Sequence, residues 1–172
     1  MNTTPYLGQT TDLILGQEFL TWLWFRGATD GIFQDASGRP FSVSLEQRIV
    51  VQGGNGDHLE TASVSGIDSE LREARMGLTT GKKVTRALLR LERAPEEWRL
   101  TLRAEDFSCG SLRTPRIEAD HAADPDALLL EKISLVEGCL ELLDSLYLRF
   151  LDLRMDKGWP EEVKRLRQWM DA

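Results

Sequence analysis

The stretch Gly81-Lys82-Lys83-Val84-Thr85-Arg86-Ala87-Leu88-Leu89-Arg90-Leu91 is followed, after a short turn, by Trp98-Arg99-Leu100-Thr101-Leu102-Arg103. In both segments apolar residues largely alternate with polar or charged residues, which is the period of a half-buried β-strand. Two such segments joined by a short turn predict a β-hairpin. Because successive side chains of a strand point to opposite faces, the apolar set can cover a core. The other face would then carry a group of cations: Lys82, Arg86, Arg90, Arg99 and Arg103.

Charge is unevenly distributed along the chain. Between Lys82 and Arg116 there are nine Lys and Arg residues against five Asp and Glu, a balance of +4 in a chain whose net charge is −7. A phosphate backbone senses the local field, because exposed charges more than about 10 Å apart are largely screened at 0.1 M salt. The hairpin therefore indicates a polyanionic partner despite the acidic total. The alternative is a solvated sheet face whose arginines pair with neighbouring carboxylates: Glu92, Glu96 and Glu97.

Segments on the N-terminal side of the hairpin predict further strands and a covering helix. Residues 11–26 are apolar around most of a helical circumference, so the helix that they form must be buried or covered by a partner. Its aromatic side chains could stack unpaired bases, but the surrounding leucines favour a place in the core. Residues 41–51 alternate between apolar and polar and predict a half-buried strand. The aromatic side chains in question are Phe19, Trp22, Trp24 and Phe25.

The connecting segments follow turn chemistry. Residues 27–40 contain three glycines and a proline and predict a loop. Gly53-Gly54-Asn55-Gly56-Asp57 predicts a turn into a second strand near Leu59–Val64. It does not fit a phosphate-binding loop, because it lacks the Gly-Lys-Ser/Thr ending and opens no helix. A short helix follows as far as about Thr79, with Gly81 as its terminator.

The C-terminal part of the chain predicts a long helix. Asp124 is a capping residue and Pro125 suits the first turn. Apolar residues at three- and four-residue spacing continue for about 30 residues, which would span roughly 45 Å. So wide an apolar stripe predicts two packing surfaces, one within the subunit and one for a second subunit. Gly158-Trp159-Pro160 ends this helix and opens a short terminal one. Together these elements predict an α+β fold: an antiparallel sheet with apolar helices on one face and a long C-terminal helix.

Length and composition are those of one globular domain, residues 1–172, with 124–172 as a helical C-terminal segment. The two cysteines, Cys109 and Cys139, have no close-spaced partner, which argues against a disulfide framework and a zinc site. No uncharged apolar run is long enough to span a membrane, and the N-terminus lacks the basic region of a secretory signal. We therefore expect a cytoplasmic protein with no membrane partner.

The sequence contains no recognisable catalytic signature. His58 and His121 are isolated from one another and from cysteine, and no serine or cysteine lies in a nucleophile motif. Two acidic groups suggest magnesium ligands, but capping and solvation explain them better, because two-metal sites gather carboxylates from separate elements. We expect no catalytic residue, metal, cofactor or small-molecule substrate. The acidic groups are Asp68, Glu70 and Glu73, and Asp120, Asp124 and Asp126.

Four stretches of the sequence form one further pattern: Leu15–Phe25, Glu73–Leu88, Trp98–Leu102 and Asp120–Leu130. In these stretches the chain resembles the RdgC recombination-associated protein family, over a part that corresponds to the central and C-terminal region of its longer members. That resemblance implies a non-enzymatic protein that binds duplex DNA largely without sequence preference. The longer members form ring-shaped dimers that encircle DNA and restrain RecA-driven strand exchange. It also implies that Lys82, Lys83 and Arg86 lie on or near the DNA-facing surface.

Two functions from different classes remain. The first is sequence-independent binding of double-stranded DNA, with nucleoid association, through a basic hairpin face that supplies phosphate contacts. The second is an oligomeric protein-interaction scaffold without DNA affinity, in which the long helix and the Trp-rich helix are the working surfaces. A metal-dependent nuclease is a distant third. The residues assigned to DNA contact are Lys82, Lys83, Arg86, Arg90, Arg99 and Arg103.

Overall fold

A computed structural model describes residues 13–54, 60–65, 68–117 and 124–172. Within these ranges the chain forms four helices and six strands, and the strands join in one antiparallel sheet. The helices pack against one face of that sheet, so the fold is α+β as predicted. In chain order the elements are α1 (Leu13–Thr29), β1 (Ile32–Gln34), β2 (Pro40–Gly53), β3 (Glu60–Ser65), α2 (Asp68–Thr79), β4 (Lys83–Arg93), β5 (Glu96–Arg103), β6 (Cys109–Arg113), α3 (Pro125–Met155) and α4 (Trp159–Asp171).

The sheet is built around β2 and the β4–β5 hairpin. Its order is β1-β2-β4-β5-β6, and β3 also pairs with β2. Since β4 occupies one edge of β2, the two short strands share the other: β1 pairs with Pro40–Ser42 and β3 with Arg48–Gly53. The predicted hairpin is therefore central, and its position fixes which residues of three neighbouring strands face solvent together.

The alternation along β4 is interrupted at Thr85. Val50 of β2 is opposite Arg86, whereas Val51 is opposite Val84, so Thr85 is an extra residue in the ladder. Its hydroxyl donates a hydrogen bond to the carbonyl oxygen of Val50 at 3.2 Å. A bulge of this kind returns Val84 to the buried face although its number has the parity of the exposed arginines.

The Trp-rich helix lies in the core, as its composition indicates. Phe19, Trp22, Trp24 and Phe25 are all buried, which excludes them from base stacking on the surface. Gly16 allows α1 to approach the sheet closely, because a Cβ at this position would lie 1.9 Å from the carbonyl oxygen of Ala104.

Two predicted helix signals are confirmed in detail. After α2 the backbone N–H of Lys82 bonds to the carbonyl of Gly77, and that of Gly81 to the carbonyl of Leu78, with Gly81 at φ 91°. This is the left-handed termination that favours glycine. At the start of α3 the side chain of Asp124 accepts hydrogen bonds from the backbone N–H groups of Asp126 and Ala127.

Two short strands, β1 and β6, are not among the predicted elements. Residues 27–40 were predicted as loop, but α1 continues to Thr29 and β1 occupies Ile32–Gln34. The strand β6 was not predicted, because Cys109-Gly110-Ser111 has little intrinsic preference for a strand. This segment forms a strand because it pairs with β5. The strand therefore depends on contacts with another segment, which the sequence of residues 109–113 alone does not show.

Candidate nucleic-acid interface

The sheet face opposite the helices, here called the open face, carries the charges that the hairpin pattern predicts. Residues directly opposite one another on neighbouring strands point to the same side of the sheet. The strand register therefore shows which side chains form rows across the open face. One row holds Arg90 beside Ser44 and Arg99, and another holds Arg86 beside Val50 and Arg103. Across the described strand side chains of this face there are five arginines and three glutamates: Arg86, Arg90, Arg99, Arg103 and Arg113, and Glu46, Glu92 and Glu97.

Arg90 is held by carboxylates from three strands. Its guanidinium forms ion pairs with Glu97 at 2.7 Å, with Glu46 at 4.0 Å and with Glu92. The hydrogen bond to Glu97 is the main cause that raises the pKa of Arg90. Charge compensation of this kind leaves little of the Arg90 charge for an external anion.

Arg99 shares two of these carboxylates. Its Nε lies 2.8 Å from Glu97 Oε1 and its Nη1 lies 3.7 Å from Glu46 Oε2. Hydrogen bonds from Arg90 and Arg99 lower the pKa of Glu97, so this carboxylate stays ionised. The ion pairs expected under the alternative interpretation therefore exist at Arg90 and Arg99, with Glu46 as a partner that the sequence did not identify.

Arg86 and Arg103 differ from Arg90 and Arg99 in that no carboxylate of the described residues is paired with them. They are direct cross-strand partners, both are exposed, and within the described part of the chain neither forms an ion pair closer than 4.0 Å. Arg103 interacts electrostatically with Asp106, whose pKa is lowered chiefly by hydrogen bonds from Ser108 and to a smaller degree by this arginine. A shallow cleft of about 450 Å³ beside the two arginines is also lined by Glu105.

The two predicted lysines lie apart from the arginines. Lys82 forms an ion pair with Glu60 of β3 at 2.9 Å, and its aliphatic chain lies beside Gly53 and Gly77. Lys83 is exposed at the start of β4, opposite Gln52, and lines a pocket with residues of α1, α2 and α4. Of the six residues predicted to contact DNA, four arginines therefore share the rows of the open face, whereas Lys82 is paired with Glu60 and Lys83 lies at the end of β4.

Arg113 is a further cation that the sequence interpretation missed. It is the partner of Arg99 across β5 and β6, and it is exposed. The signal that could have found it is the alternation of Leu112 with Arg113, which is too short to predict a strand alone. Its place on the open face extends the row of cations to the sheet edge.

The other candidate residues of the sequence, its acidic groups, histidines and cysteines, are only partly within the described residues. Among them no three His, Cys, Asp or Glu side chains are grouped as metal ligands. His58, His121 and Asp120 lie outside the described residues, as do the side chains of Asp68 and Glu70. Burial raises the pKa of the Cys139 thiol to about 12, so this cysteine is no nucleophile at neutral pH.

Comparisons of the chain with protein-family models, curated proteins and solved structures found no match. The resemblance to the RdgC family therefore stays a prediction. In the parts of the chain that the structure describes, no helix has the length and apolar character needed to cross a membrane.

Proposed function

We propose that this protein binds the phosphate backbone of double-stranded DNA without reading its sequence, and that it does no chemistry on the DNA. The central contacts are Arg86 and Arg103, with Arg113 and the partly compensated Arg99 beside them. The observation that carries the proposal is the direct opposition of Arg86 and Arg103 on the open face. If it is correct, nucleoid association and the recombination role implied by the RdgC resemblance become testable.

Opposed like charges need a compensating ion. Directly opposite residues on an antiparallel pair have Cβ atoms about 5 Å apart, and like charges in this position destabilise the sheet. A phosphate between the two guanidinium groups would remove that cost and gain charge-assisted hydrogen bonds from both. The neighbouring opposed pair, Arg90 and Arg99, shows the other solution, in which three glutamates neutralise the two arginines.

The geometry supports backbone contact over base recognition. The described helices lie on the far side of the sheet, so none of them extends from the open face into a major groove. Arginine side chains on strands can reach phosphate oxygens, which position a duplex without specifying its sequence. The proposed interface is accordingly electrostatic and strongly dependent on salt.

The test is a titration of a fluorescent duplex at several salt concentrations. Three neutralised phosphates predict that log affinity falls against log salt with a slope of about −3. Arg86→Gln with Arg103→Gln removes the one phosphate that the pair shares and should reduce the magnitude of that slope by about 0.9. The matched control is Lys157→Gln with Lys164→Gln, which removes the same charge from exposed residues near the α3–α4 turn and should leave the slope unchanged.

Two outcomes would overturn the proposal. The first is absence of duplex affinity at low salt. The second is an equal salt slope in the folded Arg86→Gln, Arg103→Gln variant and in wild type, because the pair would then make no phosphate contact. A single-stranded oligonucleotide of the same length tests the preference for duplex in the same experiment.

A second candidate function is an oligomeric scaffold, and the exposed apolar part of α3 favours it. Leu129, Leu130, Ile133 and Val136 are exposed, whereas the buried residues of this helix begin only at Gly138. Leu129, Ile133 and Val136 continue the alternating three- and four-residue spacing of the buried Leu143, Tyr147 and Phe150. A stripe with this spacing fits another helix of the same kind, so the occupant that we propose is a second copy of this chain.

A further inference from the structure

A pocket on the helix side of the sheet is independent of the DNA proposal. It has a volume of about 470 Å³ and lies between α1, α2, α4 and the start of β4. That volume is within the usual range of small-molecule sites, about 300–1,000 Å³. Its apolar lining comes mainly from α4, with one buried residue of α2: Trp159, Val163, Leu166, Met170 and Leu78.

The neutral polar groups of the pocket are already satisfied. The Thr21 hydroxyl, which is buried, donates to the carbonyl of Gln17 at 2.7 Å and accepts from the backbone N–H of Val84 at 3.3 Å. The Thr79 hydroxyl donates to the carbonyl of Met76 at 2.7 Å. A ligand would therefore meet apolar surface and charged groups, with few free neutral hydrogen-bonding partners.

Four charged side chains line this pocket, and two of them are cations without an ion pair in the described structure: Lys83 and Arg167. The acids are Glu18 and Asp171. Glu18 is neutralised by Arg154, whose Nε lies 2.6 Å from its carboxylate and whose guanidinium lies 6.0 Å from the centre of the Trp159 ring. Asp171 is exposed near the end of α4. With Glu18 paired to Arg154, the two cations outweigh Asp171, and the net charge of the pocket lining is +1.

We propose that this pocket binds an amphipathic carboxylate, an aliphatic chain that ends in a single carboxyl group. The chain lies along the apolar lining from α4, and the carboxylate lies between Lys83 and Arg167. Two cations facing one carboxylate give charge-assisted hydrogen bonds, which are about twice as strong as neutral ones.

Calorimetric titration with decanoate, below the concentration at which it aggregates, tests this inference. Decanoate should bind with a stoichiometry of one, and 1-decanol and decyltrimethylammonium should bind at least tenfold more weakly. Lys83→Gln with Arg167→Gln should weaken decanoate binding at least tenfold and leave decanol binding unchanged. The matched control is Lys157→Gln with Lys164→Gln, which removes two exposed cations that do not line the pocket.

A variant that fills the pocket separates specific binding from adsorption. Val163→Phe should abolish decanoate binding and leave duplex affinity as in wild type. The inference is overturned if decanol binds as tightly as decanoate, if the Lys83→Gln, Arg167→Gln variant binds decanoate normally, or if the folded Val163→Phe variant still binds it.

Discussion

The carboxylate of Glu162 accepts a hydrogen bond from the indole N–H of Trp22 at 3.0 Å and thereby joins α4 to the buried side of α1. The same carboxylate forms ion pairs with Arg26 at 3.2 Å and with Arg165 at 3.3 Å. Glu162 is almost completely buried, with 5% of its surface exposed. A buried carboxylate persists where cations and hydrogen-bond donors compensate its charge. Here one acidic side chain accepts a hydrogen bond from a core tryptophan and pairs with two arginines.

Removal of this carboxylate should therefore destabilise the fold. Glu162→Ala should lower the free energy of unfolding by about 3–5 kcal/mol, because it leaves Arg26 with a buried charge that Asp30 alone compensates. Glu162→Gln keeps an acceptor for Trp22 and should cost less. Denaturant unfolding monitored by tryptophan fluorescence measures both.

Glu161 provides the control for this pair of variants. It is the preceding residue of α4, it is exposed, and its contact with Lys164 is 3.6 Å long. Glu161→Ala should change the free energy of unfolding by no more than about 0.5 kcal/mol. Equal stability of the Glu161→Ala and Glu162→Ala variants would contradict the role assigned to the buried carboxylate.

The parts of the structure that the sequence predicted are those that depend on local pattern. Asp124 was identified as a cap because the residues that it bonds follow it directly, and Gly81 as a terminator because a left-handed residue is needed there. The alternation in β4 and β5 likewise identified the buried face of the hairpin. Each of these signals is contained within a few consecutive residues.

The state of the charges on the open face could not be predicted in the same way. Glu46 neutralises Arg90 and Arg99 because the register of β2 against β4 places it beside them. That register depends on the pairing of strands that are distant in sequence, and it shifts directly after this residue, between Glu46 and Ile49. The sequence therefore indicated which residues are cationic, but the number of free cations follows only from the assembled sheet.

Asp35 predicts a loss of stability in acid. Its carboxylate accepts hydrogen bonds from the Ser37 hydroxyl and from the backbone N–H groups of Ser37 and Arg39, and it pairs with Arg93 at 3.1 Å. These contacts, the Ser37 hydroxyl first, lower the pKa of Asp35 from 3.8 to about 2, although desolvation opposes them. A carboxyl whose pKa is lower in the folded state stabilises the fold above its unfolded pKa, and this stability is lost as pH falls through the folded value.

The window for this loss is pH 3.8 to about 2. Unfolding by denaturant at pH 7, 4 and 2.5 should show a steeper decrease in stability for wild type than for Asp35→Asn, which has already lost the charge at pH 7. Asp152→Asn is the control, because Asp152 is exposed and its side chain makes no ion pair with a described residue. Parallel pH profiles for wild type and Asp35→Asn would exclude Asp35 as a source of the acid sensitivity.

The exposed stripe on α3 predicts self-association that surface charges would abolish. In an isologous dimer, Leu129 and Ile133 of each copy are buried against the partner, so Leu129→Glu with Ile133→Glu places four carboxylates in one apolar contact. Sedimentation equilibrium should give a dimer for wild type and a monomer for this variant. Its free energy of unfolding, extrapolated to infinite dilution, should match wild type because both side chains are exposed in the single chain.

Leu148→Glu, about 22 Å farther along the same helix, should stay dimeric. A wild-type monomer at high concentration would exclude the stripe as a subunit contact, and if that monomer also bound duplex DNA, the scaffold function would lose its support.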